Sequence, residues 1–323
     1  MVHFLNSYEK RIRNVCEKTK RFAHVCAWGG TVIEIRNGQF HHQLVGSACP
    51  WRQESMVNLV QTSHERYGLP DCKFFVSIDD VPMALSGDNQ IRESFNNRIS
   101  FNYWFKDNSS VIPFPCFAFD KWKDAGVSSY ETFYSDMVTS AFQAKWKERS
   151  NRMFWAGAIE NHPFRKEFYT TFENKKNNFD LVAINWNTSN GQQQCRGFVP
   201  MNDICKYRYA LDIEGSGYSA RLKYLFLTGS TVCHVERNYT NDFFLPEFVN
   251  GVDYVNLKKD FSNTLPLFDQ SNEKDMEIVA ENGFNKACDI LKPDNIYYNI
   301  SEGMKLIYQL TKKNDMIGRP YHF

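Results

Sequence analysis

The amino-acid sequence predicts an α/β protein with parallel sheets, and three observations lead there. Short apolar runs bounded by turn residues alternate with amphipathic helical stretches, which is the pattern of parallel strands covered by helices. The chain has 323 residues, enough for about two folding units by ordinary domain size. The pattern also restarts after Arg149-Ser150-Asn151-Arg152, where a long polar helix gives way to a fresh apolar strand, and this puts a boundary near residue 150.

Each element has a local reason. Residues 4–20 form a charged stretch with a helical apolar stripe. Residues 22–36 read as two short strands around Gly29-Gly30, a hairpin signal. A helix is expected over 56–67, a turn at Gly68-Leu69-Pro70-Asp71, and a strand over 73–78 that stops at Asp79-Asp80 before Pro82. Pro113 and Pro115 mark a loop, and a helix covers 130–148. In the second half, a strand over 153–157 leads to a helix from Pro163, since proline is favoured in a first helical turn. Strands follow over 181–185 and 209–213, the latter running into Glu214-Gly215-Ser216-Gly217 and a helix over 219–227. Strands over 231–235 and 252–257 and helices over 273–291 and 301–312 close the chain.

Composition excludes several classes. With 42% hydrophobic residues and a formal net charge of +1, the chain is too apolar and too charge-balanced for disorder. No window approaches the roughly 18 consecutive apolar residues of a membrane helix. The balance of 38 Lys and Arg against 37 Asp and Glu argues against nucleic-acid binding, which draws on excess cations. Lys145-Trp146-Lys147-Glu148-Arg149 interleaves basic and aromatic residues, but reads as a solvated helix face. The nine cysteines are odd in number and lack a Cys-x-x-Cys pair, as expected of reduced thiols in a cytoplasmic core. Residues 1–20 carry Glu9, Lys10, Arg11, Arg13 and Glu17 rather than the apolar stretch of a signal peptide, which fits the same expectation.

Three strand ends carry chemistry. Gly215-Ser216-Gly217-Tyr218-Ser219-Ala220-Arg221 lies where a strand turns into a helix, the place where α/β sheets bind ligands. Its glycines admit close backbone approach, its hydroxyls and helix start offer donors, and Arg221 can pair with phosphate oxygens. An ordinary capped helix after a glycine turn explains the same residues. Asp79-Asp80 ends another strand, where a carboxylate can act as general base, two can hold a metal, or both can simply be a polar terminus. The stretch from Gly157 to Arg165 repeats the strand–turn–helix pattern with an arginine. Together the three suit a cleft between two α/β lobes, one holding phosphate and the other supplying a base. His41, His42, His64 and His162 have no partners at metal-ligand spacing, and His234 reads as structural.

The residues that carry this pattern also resemble a known family. Lys206-Tyr207-Arg208-Tyr209 through Gly215, Ser219 and Arg221 to Leu225-Phe226-Leu227-Thr228-Gly229-Ser230 and Val232-Cys233-His234-Val235 is similar to the Rumi-type and capsule-associated glycosyltransferases, glycosyltransferase family ninety. Asp242-Phe243-Phe244, Val252-Asp253-Tyr254-Val255 and, upstream, Leu69-Pro70-Asp71 through Asp80-Val81-Pro82 extend the resemblance over about residues 69–290. It implies a GT-B fold, two Rossmann-like lobes facing across a cleft. Residues 1–150 would be the acceptor-side lobe with the base, 151–292 the UDP-sugar lobe, and 293–323 a C-terminal helix returning to the first lobe. It also implies transfer of glucose or xylose from a UDP-sugar to a carbohydrate or other hydroxyl acceptor, with inversion and with no metal or other cofactor.

Carried over position by position, Asp80 matches the family's catalytic base and Arg165 an arginine that binds the donor. Gly157 and Ala158 fall at the donor turn, Gly215, Ser216, Gly217, Tyr218, Ser219 and Arg221 at the diphosphate loop, and Phe114 at an aromatic donor contact. Ala156-Gly157-Ala158 stands where the family usually reads Arg-Gly-Ser, so one hydroxyl contact is missing or replaced. Two rival readings follow from the same residues. A metal-dependent GT-A transferase would use Asp212-Ile213-Glu214 or Asp79-Asp80 as ligands, although Asp212 lies inside a strand and reads as a support for the loop. A nucleotide-sugar-binding module without catalysis would accommodate Ala156 and Ala158.

Overall fold

The computed structural model describes residues 2–23, 29–46, 49–82, 97–189, 192–196 and 199–318, together with Leu85, Ser86, Asn89, Arg92 and Phe95. Helix α1 (Asn6–Lys18) buries Tyr8, Ile12, Val15 and Cys16, the i, i+4, i+7, i+8 stripe of an amphipathic helix. Strands β1 (Gly30–Arg36) and β2 (Gln39–Val45) form an antiparallel hairpin. Its turn is Asn37-Gly38 rather than the expected Gly29-Gly30, and residues 24–28 of the expected first strand lie outside the described residues. The reason is conformational: both turn residues take positive φ, 53° and 71°, which Asn-Gly tolerates best.

Helix α2 (Pro50–Tyr67) begins earlier than the apolar pattern indicates because Pro50 serves as a first-turn residue. Strands β3 (Cys72–Ser77), β4 (Ser100–Asn102), β5 (Trp104–Phe105) and β6 (Val111–Pro113) follow. The first sheet runs β2-β1-β3-β4-β6. It is mixed: the hairpin strands are antiparallel, while β3, β4 and β6 are parallel. A two-residue turn can join only antiparallel neighbours, so the hairpin adds two antiparallel strands to a sheet whose other pairs are parallel. Pro113, expected in a loop, closes β6 opposite Asn102, at a sheet edge where a missing N–H is tolerated.

After α3 (Tyr130–Gln143) a short turn covers Trp146–Glu148. Trp146 and Arg149 are buried there, and Arg149 donates to the carbonyls of Ala141, Ala144 and Thr228. The Lys145–Arg149 stretch is therefore half structural rather than a solvated face. The second half supplies β7 (Ser150–Gly157), α4 (Pro163–Phe172), β8 (Phe179–Ala183), the hairpin β9 (Asn185–Ser189) and β10 (Gln192–Arg196), and β11 (Tyr207–Asp212). Next come α5 (Leu222–Phe226), β12 (Thr231–Val235), β13 (Thr240–Asn241) and β14 (Val255–Leu257). The second sheet, β14-β12-β11-β7-β8, is parallel throughout. The result is a mixed α/β architecture consistent with a Rossmann-like fold.

Helices α6 (Glu273–Ile290) and α7 (Pro293–Thr311) complete it, α7 starting earlier than expected at Pro293 for the reason given for Pro50. The halves are tied at several points. β13 pairs with β5, and Asn299 on α7 accepts from the Leu5 N–H at 2.9 Å. Lys305 donates to the Tyr67 carbonyl, and β15 (Asp315–Met316) joins β3. Among the described residues no helix is long and apolar enough to cross a membrane.

Candidate active site

The strand ends of the two sheets converge on one cleft with a volume of about 450 Å³. Asp80, Gly157, Ala158, Arg165, Gly215, Ser216, Tyr218, Ser219 and Arg221 all line it. Gly217 is not on its wall, yet it brings the halves together. It has φ +123°, and a Cβ there would collide with the Asp80 carbonyl oxygen, so only glycine lets this loop lie on the Asp80 backbone. Phe114 lies elsewhere. It is buried against Phe74 and Phe101 in the first core, because Pro113 pairs with Asn102 and the next side chain turns inward. The ring of this segment that reaches the cleft is Phe117.

At the Asp80 end, Arg52 of α2 donates through Nη1 to Asp80 Oδ1 at 3.0 Å. The Asp80 carbonyl accepts from Trp104 Nε1 at 2.7 Å, and Asn102 donates to the Asp79 carbonyl, which fixes the backbone beyond β3. Tyr103 and Tyr218 pack with ring centroids 5.0 Å apart and a tilt of 41°, both hydroxyls buried and, among the described residues, without hydrogen-bond partners. Trp122 and Asp124 border the same end.

The opposite end is cationic. Arg165 is buried and donates to the carbonyls of Glu214, Ala158 and Ile213, so it also braces the loop after β11. Arg221 donates through Nη1 to the Ala156 carbonyl, while its Nη2 is buried without a partner. Both guanidiniums approach the Trp155 ring, at 5.8 and 5.7 Å, and the indole Nε1 is also buried without a partner. Burial, followed by the charge of Arg221, pulls Arg165 down to about 9. Burial lowers Arg221 too. Two crowded, partly desolvated cations are an arrangement that an anion relieves.

The loop itself departs from expectation. The helix after it begins at Leu222 and spans five residues, because Gly215 and Gly217 N–H groups close local turns onto Tyr218 and Gly215 carbonyls instead. The Ser219 hydroxyl is directed at Asp212, 2.5 Å away, and its N–H at Asn241. The Ser216 hydroxyl lies 3.4 Å from the Asn161 carbonyl. Asp212 is fully buried and also meets His234 Nδ1 at 2.8 Å and Arg237 Nη2 at 2.5 Å. Burial alone would raise its carboxyl, but Arg237, His234 and Ser219 outweigh burial and hold it well below the carboxylate range. Asp212 is thus the loop support that its place in a strand implies. His162 caps α4 through Nδ1 and stands 3.8 Å from Glu214. Among the described residues no group of three or more His, Cys, Asp or Glu is arranged to hold a metal ion.

Comparison with known proteins bears on this geometry. A family model described as glycosyl transferase family 90 matches residues 13–309. The chain is 26% identical over 267 residues to protein O-glucosyltransferase 1 of Homo sapiens, covering 76% of this chain and 65% of that protein. It is 26% identical over 245 residues to the Bos taurus protein of the same name, covering 71% and 60% respectively. Against O-glucosyltransferase rumi of Drosophila melanogaster, identity is 22% over 328 residues, covering 93% of this chain and 75% of that one. The chain spans less than two thirds of the length of the two mammalian relatives.

Proposed function

Because the chain belongs to glycosyl transferase family 90, we propose that it transfers a glucosyl or xylosyl unit from a UDP-sugar to a hydroxyl of a glycan or other acceptor. The observation that carries the proposal is the single cleft that Asp80, Arg165 and Arg221 all line, with Gly217 lying on the Asp80 backbone. In this reading the sheets belong to the two lobes of a GT-B fold, 1–150 and 151–292, with 293–323 packing back on the first. Glucose has the added support of relatives named O-glucosyltransferases.

The chemistry is an inverting displacement. The acceptor oxygen bonds to the anomeric carbon from the face opposite the diphosphate and gives its proton to the Asp80 carboxylate. The bond from the anomeric carbon to the phosphate oxygen breaks, and its electron pair leaves with UDP. The charge that grows on the diphosphate falls to Arg221, with its unpartnered Nη2, and to the field of Arg165. Preorganised cations of this kind do the work of a metal, each worth on the order of 2–4 kcal/mol of transition-state stabilisation. A metal-binding role for Asp212 is disfavoured because its oxygens already serve Ser219, His234 and Arg237.

A UDP-release screen over several UDP-sugars, with and without monosaccharide acceptors, tests this. One UDP-sugar should be slowly hydrolysed, and an acceptor should raise its turnover. UDP binding without release from any UDP-sugar would instead make the chain a binding module.

A further inference from the structure

Outside the residues already given roles, the cleft holds one charged side chain in direct contact with the proposed base. We infer that Arg52 is a positioning residue for Asp80, clamping Oδ1 so that Oδ2 is the oxygen that takes the acceptor proton. The inference rests on the reading of Asp80 as base and adds a residue from a different element to it.

The geometry is specific. Arg52 sits in the first turn of α2, three residues after its start-setting Cys49, and reaches Asp80 Oδ1 at 3.0 Å. Its guanidinium carbon lies over two aromatic rings, 4.6 Å from the Phe117 ring centroid and 5.6 Å from that of Trp51. The two rings are themselves packed edge to face at 5.1 Å. An arginine stacked in this way loses little further freedom when it forms an ion pair, so it can fix a carboxylate's orientation where a solvated lysine would not. Among the described residues, Oδ1 of Asp80 has Arg52 as its hydrogen-bond partner and Oδ2 has none.

Among the described residues, the charged and titratable groups around this pair are Asp79 on its own segment, Cys49 at the start of α2, Asp124 at the same end of the cleft, and Tyr103 and Tyr218 from the two halves. Burial raises both tyrosines well above their usual value, so neither ionises in the working range. Burial also raises the Cys49 thiol. Burial disfavours the charge on Arg52, and Asp80 followed by the tyrosines more than offsets this, so Arg52 stays cationic.

The test compares R52Q, R52K and D80N with the unmodified chain, reading kcat, KM for the UDP-sugar and UDP affinity by calorimetry. R52Q should lower kcat about 10- to 100-fold while KM for the UDP-sugar and UDP affinity stay within two-fold, because the lost interaction orients the base and not the donor. R52K, which keeps the charge but not the guanidinium fork, should leave kcat several-fold low. Unmodified kcat in R52Q overturns the inference, as does a loss of UDP affinity equal to the loss of kcat. If R52Q fails to fold, R52K decides alone, and kcat at the unmodified level overturns the positioning role. D80N separates the two readings: full activity in D80N removes the base assignment itself, whereas an inactive D80N with unaltered Arg52 variants removes the inference alone.

Discussion

Asp80 and Asp212 stand at corresponding places in the two halves, one just beyond the central strand β3 and the other the last residue of the central strand β11. Asp212 is sealed from solvent and accepts from a serine, a histidine and an arginine. Asp80 keeps 36% of its side chain exposed, lines the cleft and has, among the described residues, Arg52 as its one side-chain partner. A carboxylate with both oxygens engaged is a strut, because any proton it took would break the network. A carboxylate with one oxygen held and the other at the cleft can accept a proton and return it. Residue type and strand-end position are shared, so burial and the number of donors separate the two roles.

Exchanging the two acids for amides sharpens this contrast. Asp80→Asn should lower kcat by roughly 10²–10⁴-fold, the range for a positioned general base, while thermal unfolding stays close to that of the original chain. A large fall in stability with modest loss of turnover would make Asp80 a second strut. Asp212→Asn should do the opposite first: leaving Arg237 and His234 buried without their counter-charge costs about 3–5 kcal/mol of stability, read by denaturant unfolding. The depressed Asp212 carboxyl also sets a direction with pH. Its contribution is fully present above the unfolded carboxylate value of about 3.9 and is lost as pH falls through its lower folded value. Asp212→Asn should flatten that acid decline, and an unchanged acid limb would show that other carboxylates carry it.

Much of this was legible in the sequence, because strand ends of parallel sheets collect at one edge whatever the details of packing. Asp80, Gly157, Arg165 and the 215–221 loop are found together for that reason. What was not legible depended on tertiary partners. Arg52 carries no motif, since it is one residue at the head of a helix whose only cue is Pro50. Phe114 reads like a cleft aromatic until Pro113 is seen pairing as an edge residue and turning it into the core. The helix expected over 219–227 starts only at Leu222, because the turns made by Gly215 and Gly217 hold the preceding backbone in another conformation that the apolar pattern does not reveal. The Asn37-Gly38 hairpin was readable, as Asn-Gly between strands is a strong turn signal, but Gly29-Gly30 competed with it.

Another buried acid offers the smallest and most discriminating test. Asp242 lies where β13 crosses to the first half, its N–H donating to the Tyr103 carbonyl and its Oδ2 accepting from Asn241. Its Oδ1 is buried without a partner, and φ is +60°. Burial pushes its carboxyl up to about 6, with Lys223 opposing the rise and Asp212 adding to it. The folded chain therefore holds a proton that the unfolded chain has released. Stability should fall as pH rises from about 4 to about 6 and then level, by on the order of 2–3 kcal/mol at most. This is the reverse of the Asp212 trend, so the two acids pull the stability profile in opposite directions on either side of about pH 4. Asp242→Asn should remove the decline between pH 4 and 6 while leaving the more acidic limb in place. A decline that survives the substitution would assign it to another group.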